Sequence, residues 1–246
     1  MCISKPYGAK IYLDTLDTGL FTPASIDSVA MGIHQVKLSK KYFDDYTESV
    51  TVIKDKFSGV NGRLSQSVLR SNYFPSYVGS YWNYTLFNNV TQSIDTIVYK
   101  VVDIVDVQHM GPFAVWVIEQ KRKNVSEAFS DTNYITIIND TVKFYAQGYL
   151  KHPVKIIPFP LHRHKRWGGM VDVGPQGSVT DTDSLSIKTG NKYFCYKIVY
   201  YTGDPITNEI AFEEWFSSEV GYVRLIEWPF IESTSWNIDS YFIAYD

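Results

Sequence analysis

The feature that most constrains this chain is a segment that occurs twice. Phe74-Pro75 is followed by Trp82, and 85 residues later Phe159-Pro160 is followed by Trp167 at the same spacing. Each copy leads into a run of β-forming residues, so the chain reads as two related halves. Two copies are too few for a solenoid, which needs about three or more, so the halves are expected to share one core.

Composition supports sheets rather than helices. The aromatic share is 16%, with 19 Tyr, 14 Phe and 6 Trp, and such residues pack well on pleated surfaces. Apart from one turn's worth at Leu64, Val68 and Leu69, no stretch keeps a helical period long enough to define a helix. The expected fold class is all-β.

Within the first 57 residues, Ala9, Ile11 and Leu13 alternate with polar neighbours, as do His34, Val36 and Leu38 after Gly32. This is the period of half-buried strands. Val50 and Val52 continue the pattern, giving a small β module over 1–57. The pattern then dissolves into Asp, Lys, Ser, Gly and Asn, with Gly59 and Gly62 as breakers, so a linker is expected over 58–72. An antiparallel β domain follows over 73–246, its halves at about 73–150 and 157–230. Phe113–Ile118 and Phe194–Val199 stand at comparable places in the two halves.

Two resemblances bear on these regions. Pro6-Tyr7-Gly8-Ala9, Ile11-Tyr12-Leu13-Asp14, Gly19 with Thr22-Pro23, and Gly32-Ile33-His34-Gln35-Val36 resemble the successive signatures of a PEGA domain. That resemblance implies a small β-sandwich-like, non-catalytic module of extracytoplasmic and surface proteins. Thr15 replaces the glycine of the family's usual Asp-Gly turn, and Lys41 stands where a Gly-Tyr pair is expected. The larger domain resembles an uncharacterised group of secreted bacterial proteins through Phe159-Pro160-Leu161, Trp167, Trp215-Phe216 and Val220-Gly221-Tyr222-Val223-Arg224. It implies no activity.

Chemistry-bearing motifs are sparse. There is no nucleophile elbow, phosphate-binding glycine loop or paired Cys and His, so no catalytic residue and no cofactor are expected. The two cysteines, Cys2 and Cys195, carry neither a disulfide framework nor a zinc spacing. Cys2 reads as a strand residue, with the lipid-bearing first residue of a mature lipoprotein as the alternative. His162 and His164 lie in a basic cluster that could touch an anion, although the interleaved cations argue against a metal. Glu213-Glu214 and Asp181 with Asp183 read as surface charge; a glycosidase would need two carboxyls at a set separation. Trp228 and Trp236 flank an irregular segment and are the candidate aromatic platform for a ligand.

A net charge of −3 and a pI near 6.0 provide no field for polyanions, so nucleic acid is not an expected partner. No run approaches the ~20 apolar residues of a transmembrane helix. The expectation is a non-enzymatic, exported cell-envelope or surface protein that binds or scaffolds, its partner a glycan, a cell-wall component or a protein. The alternatives are a carrier whose curved sheet wraps an apolar ligand, and a secreted hydrolase using Glu213 or Glu214.

Overall fold

The computed structural model describes residues 1–88, 92–107, 111–121, 129–148, 150–168, 176–186, 190, 192–201, 210–227 and 234–244. Every element among them is a strand. The all-β expectation is met, and the chain divides into two compact units, Met1–Val68 and Leu69–Ala244.

The first unit holds β1 (Cys2–Lys5), β2 (Lys10–Leu13), β3 (Leu16–Phe21), β4 (Gly32–Ser39), β5 (Tyr46–Val52) and β6 (Val60–Arg63). An antiparallel sheet runs in the order β3-β2-β4-β5, while β1 and β6 pair in parallel as a second sheet. Alternation puts Ile11, Val36 and Leu38 on one face, where they are buried with Ala9, Cys2 and Val60. Residues 58–72 were expected to be a linker, but Val60–Arg63 are a strand and Phe43 bridges to Gln66. Gly62 belongs to this packing: a Cβ there would stand 2.7 Å from both Leu38 and Tyr46. The glycine lets β6 lie close on the neighbouring sheet.

The turn between β2 and β3 keeps left-handed backbone at both central residues, Asp14 at φ 49° and Thr15 at φ 72°. Thr15 therefore holds a conformation that glycine adopts without strain. Asp14 anchors the turn through its carboxylate, which meets His34 Nδ1 at 2.6 Å and accepts from the Gln35 amide at 2.8 Å. The His34 contact holds Asp14 below its ordinary 3.8, and Asp14 raises His34 above 6.5. The carboxylate's stabilisation is present above pH 3.8 and fades as pH falls through its lowered value; the imidazole's is present below pH 6.5 and fades as pH rises through its raised value. Thermal melts of the full chain should show the pair's contribution greatest between those limits, and Asp14→Asn should lower the His34 titration seen by NMR, the Ala30 carbonyl still holding part of the rise.

Among the described residues, the second unit is one antiparallel sheet of 12 strands. Its first six are β7 (Tyr81–Asn88), β8 (Ile94–Asp106), β9 (Pro112–Lys121), β10 (Phe129–Ile138), β11 (Thr141–Ala146) and β12 (Lys155–Pro158). The rest are β13 (Arg166–Trp167), β14 (Gln176–Ser186), β15 (Lys192–Tyr201), β16 (Ile210–Ser217), β17 (Gly221–Glu227) and β18 (Thr234–Phe242). Each group is a meander in sequence order, and β18 joins the two by pairing with β7.

The sheet curls into a near-barrel. Phe144 on β11 lies 6.2 Å from Tyr222 on β17, ring centre to ring centre, although five strands separate them along the sheet. The edge strands are joined by a side chain: the Trp167 indole donates to the Ile156 carbonyl at 2.6 Å.

The recurrent segments now have a physical role. Phe74, 1% exposed, packs its ring against Trp116, Phe144, Phe216 and Tyr222. Phe159 meets Phe216 at 5.3 Å and stacks on Tyr73 at 5.5 Å. Each Phe-Pro segment thus inserts its phenylalanine into the interior just before the first strand of its meander. The tryptophans open those strands, Trp82 on β7 and Trp167 on β13, and each indole donates to a main-chain carbonyl.

The following strands correspond as well. The first-strand tryptophans pair with Tyr99 and Gly177, two residues before bulges at Val101/Asp103 and Val179/Asp181. That register matches Phe113 with Cys195, both buried, and not with Phe194, which is 55% exposed. The expected match of Phe113–Ile118 to Phe194–Val199 is therefore one residue out, and in a strand one residue reverses the face.

Candidate functional site

The interior of the near-barrel is not fully packed. A cavity of about 340 Å³ remains, walled by the aromatic side chains of Tyr84, Tyr99, Trp116, Phe144, Phe212 and Tyr222. Ile118, Ile135, Val154 and Leu225 complete the apolar lining, and Asn133, Lys155 and Glu214 are its polar members. Period-2 alternation brings them together: Asn133 and Ile135 face inward from β10, Phe212 and Glu214 from β16. The volume falls at the lower end of the ~300–1,000 Å³ usual for small-molecule sites, and the lining is mostly apolar with few polar groups, as such sites are.

Two of the polar members form an ion pair that bridges β12 and β16. Lys155 Nζ on β12 donates to Glu214 Oε1 on β16 at 2.6 Å; Glu214 is 1% exposed. The ammonium sits 4.3 Å from the ring centres of both Phe144 and Tyr222, so two aromatic faces share the cation with one carboxylate. Burial draws the Lys155 ammonium below the ordinary lysine value, opposed by the Glu214 charge and hydrogen bond.

Burial also pushes the hydroxyls of Tyr84, Tyr200 and Tyr222 well above the ordinary tyrosine value, with the Glu214 charge adding to the effect. These groups stay protonated. Tyr84 donates to the Tyr222 carbonyl at 2.9 Å. Glu214 Oε2, the Trp116 indole N–H and the Tyr222 hydroxyl are buried without a hydrogen-bond partner among the described residues. The Tyr200 hydroxyl leans toward Glu214 without meeting regular hydrogen-bond geometry.

Sequence reasoning placed Glu213 and Glu214 on the surface, and the structure corrects this. Both are buried, on opposite faces of β16, and each is paired with a lysine. Glu213 meets Lys197 at 2.9 Å on the outer face, where Lys197 also lies 5.8 Å from the Trp215 ring centre. No second carboxylate lines the cavity beside Glu214 among the described residues. Asp181 and Asp183 are exposed on β14.

The other candidate residues lie elsewhere. His162 and His164 are exposed in the turn from β12 to β13, away from the cavity lining. His162 Nδ1 lies 3.1 Å from the Arg163 carbonyl, and the His164 amide donates to the Val179 carbonyl at 2.9 Å. Trp228 lies outside the described residues, and Trp236 is described only as a backbone position of β18, paired with Leu86. Among the described residues, no group of three or more His, Cys, Asp and Glu could hold a metal ion.

Comparison with known proteins bears mainly on the first unit. No curated protein matches the chain in sequence. Two crystal structures align with 69% of this chain and 98% of theirs. One is of a protein designated a lipoprotein from Parabacteroides distasonis ATCC 8503, at 13% identity and a TM-score of 0.36. The other is of a protein designated as exported, with a YmcC-like fold, from Bacteroides fragilis NCTC 9343, at 12% identity and a TM-score of 0.35. Residues 2–67 match the family model of the PEGA domain. That span takes in β1 through β6, including the strand that closes the second small sheet. The N-terminal unit of this chain is a PEGA domain.

Proposed function

We propose that this is a non-enzymatic, exported protein of the cell envelope or surface whose larger domain binds a small, largely apolar ligand inside its near-barrel. Of the readings the sequence left open, the geometry favours the carrier over the scaffold. The observation that carries this is the aromatic-walled cavity of about 340 Å³ with few polar groups in its lining. The extracytoplasmic location rests on the PEGA domain. A lipid thioether on Cys2 would require that thiol, now 5% exposed within β1, to leave the module's core, so its strand role stands over the anchor.

The non-enzymatic part of the proposal rests on how Glu214 is held. A glycosidase works with two carboxyls about 5–10 Å apart across the scissile bond. Here the buried carboxylate that lines the cavity is matched by an ammonium instead.

The test uses the full chain and the neutral fluorophore N-phenyl-1-naphthylamine. One equivalent should bind with enhanced emission, and Leu225→Trp, which adds bulk to the cavity wall, should weaken the signal. Failure of the native protein to bind the fluorophore, with no small molecule retained in native mass spectrometry, would overturn the reading.

A further inference from the structure

Among the described residues that line the cavity, Lys155 is the one cation and Glu214 the one carboxylate, and they meet at 2.6 Å. The Lys155 ammonium is also flanked by the rings of Phe144 and Tyr222, each centred 4.3 Å away. Its attraction for an anion is thus already satisfied inside the protein. Resting on the reading that the cavity is a ligand site, we infer that its ligands are uncharged apolar compounds, and that Glu214 sets this selectivity by neutralising Lys155.

Aromatic walls with a lone lysine among them would suit an anionic amphiphile, whose carboxylate or sulfonate head could meet the free ammonium. Glu214 removes that option. With Lys155 matched, an anionic head entering the cavity would lose its hydration without gaining a partner, and a carboxylate would lie near it. A cationic head faces the same loss, with the Lys155 ammonium near it and Glu214 already engaged. An uncharged body loses no ion hydration and gains contact with the six aromatic side chains of the wall. Glu214 acts through its partner: it is 1% exposed while the Lys155 side chain keeps 15%, so the lysine is the member an incoming head would meet. Glu214 is therefore a positioning residue.

Fluorescence titration of the full chain tests this by comparing N-phenyl-1-naphthylamine with 8-anilino-1-naphthalenesulfonate, which carries the same ring skeleton and one sulfonate. The neutral dye should bind tighter by about tenfold or more, the ratio that about 1.4 kcal/mol gives. Methyl decanoate should likewise displace it at lower concentration than decanoate or decylammonium does.

Two variants separate charge from bulk. Glu214→Gln keeps the side chain's size but frees the ammonium, and Asn133→Lys adds to the lining a cation that Glu214 does not neutralise. In each, the preference for the neutral dye should fall by about tenfold or more, whereas a merely loosened cavity would admit both dyes alike and leave the ratio in place. Asn133→Lys keeps the buried pair, so the test holds if Glu214→Gln does not fold. Equal or tighter binding of the sulfonate, decanoate or decylammonium by the parent would overturn the ligand class and leave the cavity reading standing. An unchanged ratio in Asn133→Lys, or in a folded Glu214→Gln, would overturn the selectivity by charge. Binding of neither dye would overturn this inference, and the cavity reading with it if native mass spectrometry also retains no small molecule.

Discussion

Replacing Lys155 alone by Met is expected to destabilise the larger domain by about 3–5 kcal/mol, because it strands a buried carboxylate without its cation. Glu214 is 1% exposed, and its second oxygen already lacks a partner. Replacing both residues by Met should be far milder, between neutral and about 1–4 kcal/mol stabilising, since two thioether chains of similar length fill the same space without desolvating charge. All six tryptophans follow residue 81, so tryptophan fluorescence during urea unfolding reports the larger domain without interference from the PEGA domain. A single variant as stable as the parent, or a double variant less stable than the single, would show that the pair is not buried as described.

Trp82→Ala is expected to cost about 3–5 kcal/mol, the usual range for emptying a large aromatic site. The side chain is 1% exposed, stacks on Trp116 at 4.8 Å, and donates its indole N–H to the Val220 carbonyl at 2.6 Å, 138 residues away. Trp82→Phe should retain much of the packing but lose that bond, for roughly 1–3 kcal/mol. Trp167 is only half-buried, so its truncation should cost roughly half the fully buried figure. The two occupy equivalent places in the repeated segment but differ in depth. They differ because Trp82 is enclosed by β7, β9 and the Val220 turn, whereas Trp167 opens an edge strand of two residues and covers Gly177, where a Cβ would fall 2.3 Å from its ring. An urea midpoint for Trp82→Ala within error of the parent would contradict this account.

Much of the fold was legible because it is periodic. Strand alternation and the PEGA signatures are local patterns, and the two Phe-Pro segments announced two meanders. What misled was glycine and register. Gly59 and Gly62 read as breakers, yet Gly62 fills a place where β6 approaches Leu38 and Tyr46 too closely for a Cβ. The Phe113–Phe194 match followed residue identity, while the pairing follows the shared Val-x-Asp bulges at Val101–Asp103 and Val179–Asp181, which are present in the sequence as a repeat. The cavity was beyond sequence reasoning for a different reason. Lys155 and Glu214 lie 59 residues apart, on strands that meet only because the sheet curls. The one available signal was two carboxylates set between Phe212 and Trp215-Phe216, a position where a strand with two buried faces must find them partners.

The pairing of β7 with β18 also sets the order in which this domain can assemble. Each meander closes through short connections, but the contacts between β7 and β18 join residues such as Asn83 and Ser240, 157 positions apart along the chain. Loop-closure entropy makes that step costlier than a tight hairpin by about 3–4 kcal/mol, and non-local pairing of this kind slows folding. Until the last strand is available, β7 carries an unpaired edge beside Trp82 and Tyr84, the type of template on which chains associate edge to edge. A chain emerging from its N-terminus must therefore shelter that edge for nearly the whole length of the domain, and its yield on refolding should fall steeply with concentration.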